Sequence, residues 1–284
     1  FFMVVPFCLA SLWLAYKFLP TTGPGGVAAT RGSGLDWRGL TLGTLGTLCL
    51  LNGLVELRGD APLQAVLLLV GAVAAFAAFI WWQRRFAASG GTPLMNLDLF
   101  RYRQFAMGSV VAFIYGTALF GSTYLLPVYM QVGLHLSASH VGTILLPAGF
   151  VLALTIAGVG RLADRQPTWL LVSVGLALLA ASFALMLLLR LDSALWLLVA
   201  FAIIGRIGLG FILPSLNLGS MRPLAKPLIP QGASAINFLR MLGGAAGVSL
   251  CAIVLEWRIA AHGDDLTRGA SSTARLAAFN ESFL

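Results

Sequence analysis

Hydrophobic residues fall in long unbroken runs along this chain, set apart by short polar interruptions, and within the runs polar and apolar positions do not alternate. Leu, Ala, Val and Gly dominate eight such runs, at 1–19, 38–56, 63–83, 105–131, 139–159, 168–190, 195–217 and 233–256. A helix needs about 20 apolar residues to cross the hydrocarbon core of a bilayer, and each run is close to that length. Strands of a membrane barrel would show a period of two instead. The pattern predicts an all-α, polytopic membrane bundle with about eight spans, each satisfying its own backbone hydrogen bonds in lipid.

Composition supports this. Only 10% of the 284 residues are charged, against roughly 25% in an average soluble domain, so the solvent for most of the surface is lipid. The chain opens at Phe1, already hydrophobic and without the charged first region of a signal peptide. It reads as a fragment that starts inside a span. Cys8, Cys49 and Cys251 all fall within predicted spans, where cysteine packs as a small hydrophobe, and their spacing suggests neither a disulfide framework nor a metal site.

The formal charge of +8 would suit a nucleic-acid partner if it formed one basic stripe. Instead the basic residues are scattered through short loops and report topology. With 160–168 placed in the cytoplasm, alternating spans put eleven Lys and Arg on that side and five on the other; Arg206 and Arg240 complete the eighteen, inside spans. That bias agrees with the positive-inside rule, so the stretch GVGRLADRQP at 158–167 faces the cytoplasm. No nucleic-acid partner is expected; the bilayer is.

Two longer segments divide the chain. The first, 20–37, is rich in Gly and Pro, and the second, 84–104, carries Arg and aromatic residues that suit either an interfacial segment on the inner leaflet or a plain basic loop. Between them lies a hairpin, 38–83, and after them five spans, 105–256. The tail 257–284 is too polar to hold another span.

Charge at membrane depth is costly, so the polar residues inside spans are the first candidates for function. Arg206 lies eleven residues from either end of its predicted span, ~16 Å deep at 1.5 Å per residue. Asn217, eleven residues further on, returns to the same helix face. Asn237 and Arg240 share a face of the last span, where Arg240 either snorkels to the inner interface or joins a cavity. Gly108, Tyr115, Ser122 and Tyr129 recur every seven residues on the fourth span, a stripe that faces an aqueous path or packs against a neighbouring helix.

Gly205, Gly208, Gly210 and the pair Gly243 and Gly247 mark close helix approach, and Pro127, Pro147 and Pro214 mark kinks. Protease, hydrolase and phosphate-loop motifs are missing, and His135, His140 and His262 lack the helical pairing that binds zinc or haem. No enzyme activity, metal or cofactor is expected.

Four segments carry a family resemblance. YLLPVYMQVGLHLSASHVGTILLPAGF (124–150), PLMNLDLFRYRQFAMG (93–108), GRLADR (160–165) and NFLRMLGGAAG (237–247) resemble, in the expected order, segments of the 14-span drug-proton antiporters of the major facilitator superfamily. The likeness covers 90–256 well and 1–83 more loosely. It implies a C-terminal part of such a protein: 1–19 as the end of the N-terminal bundle, 20–37 as a cytoplasmic linker, 38–83 as the family's extra hairpin, 84–104 as a cytoplasmic loop, 105–256 as five of six spans of the C-terminal bundle, and 257–284 as an extracytoplasmic loop or tail.

The resemblance further implies a multi-pass protein of the inner (plasma) membrane that exports drugs or other amphipathic, often cationic molecules in exchange for protons, by alternating access between two bundles. The proton-coupling carboxylate would belong to the missing N-terminal bundle. Gly160, Arg161, Asp164 and Arg165 would form a gate motif, with Asp164 stabilised by the start of the next helix or by a neighbouring Arg. Where the superfamily pattern continues with Gly and basic residues, this chain has Gln166, Pro167 and Thr168. Export of one dedicated metabolite or antibiotic, and a non-transporting sensor module, are the alternatives.

Overall fold

Apolar periodicity resolves into helices from the first described residue to the last. The computed structural model describes residues 4–18, 36–57, 62–188 and 195–261. The helices are α1 (Val4–Phe18), α2 (Trp37–Glu56), α3 (Pro62–Ala88), α4 (Arg103–Val128), α5 (Ala138–Ala163), α6 (Thr168–Met186), α7 (Leu195–Met221) and α8 (Ile229–Ala261). The last seven are long and apolar enough to cross a membrane, whereas α1 spans 15 residues, all exposed from 5 to 18. The linker tip at 19–35, the turn at 58–61, the connection at 189–194 and the tail from 262 lie outside the described residues.

Helix ends extend past the apolar runs, since arginine and other polar residues continue a helix beyond its hydrophobic stretch. Helix α3 continues through Arg84 and Arg85 to Ala88, with the Arg85 guanidinium lying 5.5 Å from the centre of the Trp81 ring. Such cation–π contacts let a long basic side chain stay on a helix at the interface. Helix α5 likewise absorbs Gly160 to Ala163, and α8 begins at Ile229, four residues before its predicted start. The segment expected to be a loop at 84–104 contains a 3₁₀ turn, Leu97–Arg101, that drives Leu99 fully into the interior beside Phe105. Leu99 anchors this segment to the bundle.

The hairpin of α2 and α3 is held by a seam of small residues. Gly39, Gly46 and Gly53 recur every seven residues on the buried face of α2, and Ala65, Ala72 and Phe79 do the same on α3. Without a hydrophobic driving force between helices in lipid, close backbone approach of this kind supplies the dispersion energy. Asp36, the N-cap of α2, fixes one end. Its carboxylate accepts from the Gly39 N–H at 2.8 Å, from Trp82 Nε1 at 2.9 Å and from Gln83 Nε2 at 2.8 Å, while Gln83 Oε1 accepts from the Met95 N–H at 3.3 Å. One buried carboxylate thus joins both helices and the segment that follows.

In the five-helix block α4 packs on α8 and α5 packs on α7; α6 lies against α7, and α4 meets α7 at the centre. The α4–α8 crossing uses Gly116, Gly243 and Gly247, where an added Cβ would strike the facing backbone. At the α6–α7 crossing Gly175 and Gly208 each face the other's carbonyl oxygen, and Ser182 Oγ donates to the Phe201 carbonyl at 2.7 Å. The expected packing role of Gly208, Gly243 and Gly247 is what these positions do. Past Pro127 the helical path of α4 relaxes into a π turn at Tyr129–Gly133, and His135 turns the chain at φ 54° toward α5, whose first turn Ser137 caps. Buried clusters fill the bundle, and the lipid-facing residues, such as Met107, Val110, Leu146 and Leu154, remain exposed and apolar.

Candidate functional site

Helix antiparallelism brings three polar side chains to one depth. Tyr115 lies twelve residues from the start of α4, Arg240 eleven from the same-side start of α8, and Arg206 fifteen from the same-side end of α7. At 1.5 Å per residue these are depths of about 18, 16 and 22 Å, a single layer near the middle of the bundle. The Tyr115 side chain is buried and within coulombic reach of both arginines.

The arginines are held loosely. Arg206 directs both terminal nitrogens at the Thr123 hydroxyl, at 3.4 and 3.5 Å, while that hydroxyl already donates to the Leu119 carbonyl at 2.7 Å. Arg240 donates to Asn237 Oδ1 at 2.6 Å. A guanidinium carries five N–H donors, so most of this capacity is unused among the described residues. Both arginines are half-exposed.

The other candidates separate by position. Asn217 is exposed on α7 close to its cytoplasmic end, on the Arg206 face but well below the layer. Ser122 is buried with its hydroxyl on the Leu119 carbonyl, and borders a gap of about 10 Å³ shared with Arg206, room for one water at most. Tyr129 is enclosed in the outer hydrophobic cluster. Gly108 sits against Ser220 of α7. Of the heptad stripe, then, all four positions are buried in helix contacts, and Tyr115 alone joins the arginine layer.

Larger crevices lie elsewhere. One of about 440 Å³ runs between α2, α3 and α8, lined by Leu40, Gly43, Phe79, Met95, Ala235 and Phe238. Another, of about 480 Å³, opens between α4, α6 and α7 beside Gln104, Thr168, Ser215 and Arg222. Hydropathy gave no sign of either, because each is made by residues from three separate helices.

The cytoplasmic motif is differently placed from its expectation. Gly160 and Arg161 belong to the last turn of α5, Asp164 is the C-cap of that helix, and Arg165 follows in the turn. Helix α6 is instead preceded by Pro167, which offers no side-chain cap. All four motif residues are exposed, and among the described residues Asp164 forms no ion pair. The helical propensity of Leu162 and Ala163 extends α5 far enough to put the carboxylate at a C-terminus, the unfavourable end of the helix dipole.

Residues 1–248 match the Major Facilitator Superfamily. The chain belongs to that superfamily. A superfamily bundle of this kind is a multi-pass protein of the plasma membrane, and the seven spanning helices accord with it. Similar proteins include the lincomycin resistance protein LmrB of Listeria monocytogenes, 27% identical over 262 residues that cover 90% of this chain and 53% of the relative. The multidrug resistance protein B homolog of Mycobacterium tuberculosis is 29% identical over 267 residues, 91% of this chain and 47% of that protein. The multidrug transporter protein MdtP of Bacillus subtilis is 26% identical over 166 residues, 58% and 31% respectively. The chain spans about half the length of the first two relatives.

Proposed function

We propose that the protein to which this superfamily bundle belongs exports amphipathic small molecules from the cytoplasm in exchange for protons, by alternating access. The observation that carries this reading is the layer of Tyr115, Arg206 and Arg240 on three helices, since an arginine inside a span costs about 2.5–3.5 kcal/mol, and such residues mark substrate or ion pathways. Relatives named for multidrug resistance support the substrate class. The 14-span subfamily, with 38–83 as its extra hairpin and 105–256 as five spans of the C-terminal bundle, is part of the same proposal.

Proton coupling is assigned to a carboxylate outside this bundle. The acids among the described residues, Asp36, Glu56, Asp98, Asp164 and Glu256, lie at or near helix ends or in connections, far from the arginine layer. Gly160, Arg161, Asp164 and Arg165 are proposed as a gate whose partners lie elsewhere in the protein. Expression of the whole protein in an efflux-deficient cell tests the proposal: accumulation of several lipophilic dyes should fall, and fall less when the proton gradient is collapsed. A correctly inserted protein that lowers the accumulation of none of them overturns it. Relatives named for lincomycin resistance favour a second reading, export of a single antibiotic or metabolite; protection against one compound class alone would select it.

A further inference from the structure

We infer that the Arg206–Arg240 layer takes an oxyanion of the transported molecule, a carboxylate or sulfonate, so that the bundle selects acidic amphiphiles. This rests on the export reading above and narrows it, because the family resemblance implied amphipathic, often cationic, cargo. Arg206 on α7 and Arg240 on α8, about 22 and 16 Å along their helices from the same end, are both within coulombic reach of the Tyr115 phenol of α4. Cations so placed repel a cationic ligand and require a counter-charge.

Among the described residues the layer contains no counter-charge. The membrane-side acids of the same helices are remote: Glu256 lies sixteen residues beyond Arg240 on α8, and α4 and α7 carry no acid at all. The partners present are neutral acceptors, the Thr123 hydroxyl at 3.4 Å or more and the Asn237 amide oxygen at 2.6 Å. Planar guanidinium forks match carboxylate and sulfonate oxygens in pairs. The Tyr115 hydroxyl, which makes no hydrogen bond among the described residues, supplies a neutral donor to the same group. Leu209, Ala202 and Phe183, which border Arg206, are apolar, matching the body of an amphiphile in character.

Two xanthene dyes of similar shape and opposite charge test this: carboxyfluorescein as the anion and rhodamine 6G as the cation, bound to the purified whole protein and followed by fluorescence anisotropy. The anion should bind more tightly than the cation. Arg206→Gln and Arg240→Gln should each weaken it by about tenfold, the loss of one charged hydrogen-bond pair, while Arg206→Lys keeps most of the affinity. Rhodamine 6G should bind the Gln variants no worse than the parent. A protein that binds or exports rhodamine 6G but ignores carboxyfluorescein overturns the anion inference and leaves the export reading intact, as does equal loss of both dyes in the Gln variants, the result expected if a carboxylate elsewhere in the protein pairs the arginines. A protein that binds and exports neither dye sinks both.

Discussion

The Thr117 hydroxyl of α4 donates a hydrogen bond to the Gly243 carbonyl of α8 at 2.9 Å. Such a bond forms only where two helix backbones nearly touch, and the neighbouring glycines show why they can: a Cβ on Gly116 would collide with the Arg240 carbonyl, and one on Gly243 with the Phe113 carbonyl. The atoms in the way are backbone, so no rotamer change relieves them. Gly116→Ala should therefore push α8 outward and destabilise the bundle by about 1–3 kcal/mol, as other overpacking substitutions do. Gly142→Ala, at a position where the added Cβ meets nothing within 4 Å, should leave the melting temperature in detergent unchanged. Equal melting of the two variants would remove the close crossing as a source of stability.

The Asp36 carboxylate makes a second prediction, about pH. Burial alone raises its pKa, but the donors from Gly39, Trp82, Gln83 and Leu94 together outweigh burial and hold it below the ordinary aspartate value. A group whose folded pKa is depressed stabilises the fold above its unfolded pKa, about 3.9 for aspartate, and loses that contribution as pH falls through the folded value. Amide exchange in the first turn of α2, corrected for the intrinsic rate, should stay slow at neutral and mildly acidic pH and accelerate only below about 4. Asp36→Asn sets an amide NH₂ against donors that the carboxylate satisfied, and flipping Gln83 to accept it would abandon the Met95 N–H. The variant should lose about 1–3 kcal/mol of local protection and all of its pH dependence. Unaltered exchange in Asp36→Asn would make the cluster incidental.

Why was that cluster invisible beforehand, when the spans themselves were legible? Hydropathy averages over a window and finds the centre of each span well, since twenty apolar residues have few other fates. It misplaces ends, because an arginine on a tryptophan face, Arg85 on Trp81, is as helical as a leucine. Contacts between residues 47 apart, as in Asp36 and Gln83, leave no local signal. The heptad seam of Gly39, Gly46 and Gly53 against Ala65, Ala72 and Phe79 does carry one, a seven-residue period of mostly small residues. For the candidate site, charge inside a span singled out Arg206 and Arg240, and the heptad spacing Tyr115. Neither separated the members that share a depth from Asn217, Ser122 and Tyr129, since depth depends on where each helix starts.

Asp164 offers a prediction in which stability and function move apart. As the exposed C-cap of α5 it places a negative charge at the negative end of the helix dipole. Asp164→Asn should thus leave stability unchanged or raise it by about 0.3–1 kcal/mol at low ionic strength, an effect that added salt removes. Under the gate proposal the same change slows dye export while binding is retained, because a latch shifts the balance between conformations without touching cargo. Export rates equal to the parent's would reduce the motif to a topological marker.

Arg206 and Thr123 decide how the arginine layer is kept in place. Their contact is long, at 3.4 and 3.5 Å, and the Thr123 hydroxyl is already committed to Leu119, so it contributes less than an ordinary charged hydrogen bond of about 1.5–3 kcal/mol. Thr123→Val keeps the shape and deletes the acceptor. It should change dye binding by less than about threefold, under 1 kcal/mol, whereas Arg206→Ala should abolish charge selectivity and leave insertion and folding intact, since no carboxylate among the described residues is orphaned with it. Titration of both variants with anionic and cationic dye, alongside their melting temperatures, separates the cases. If Thr123→Val proved as damaging as Arg206→Ala, the hydroxyl would be a true tether, and Arg206 would serve the α4–α7 contact more than any cargo.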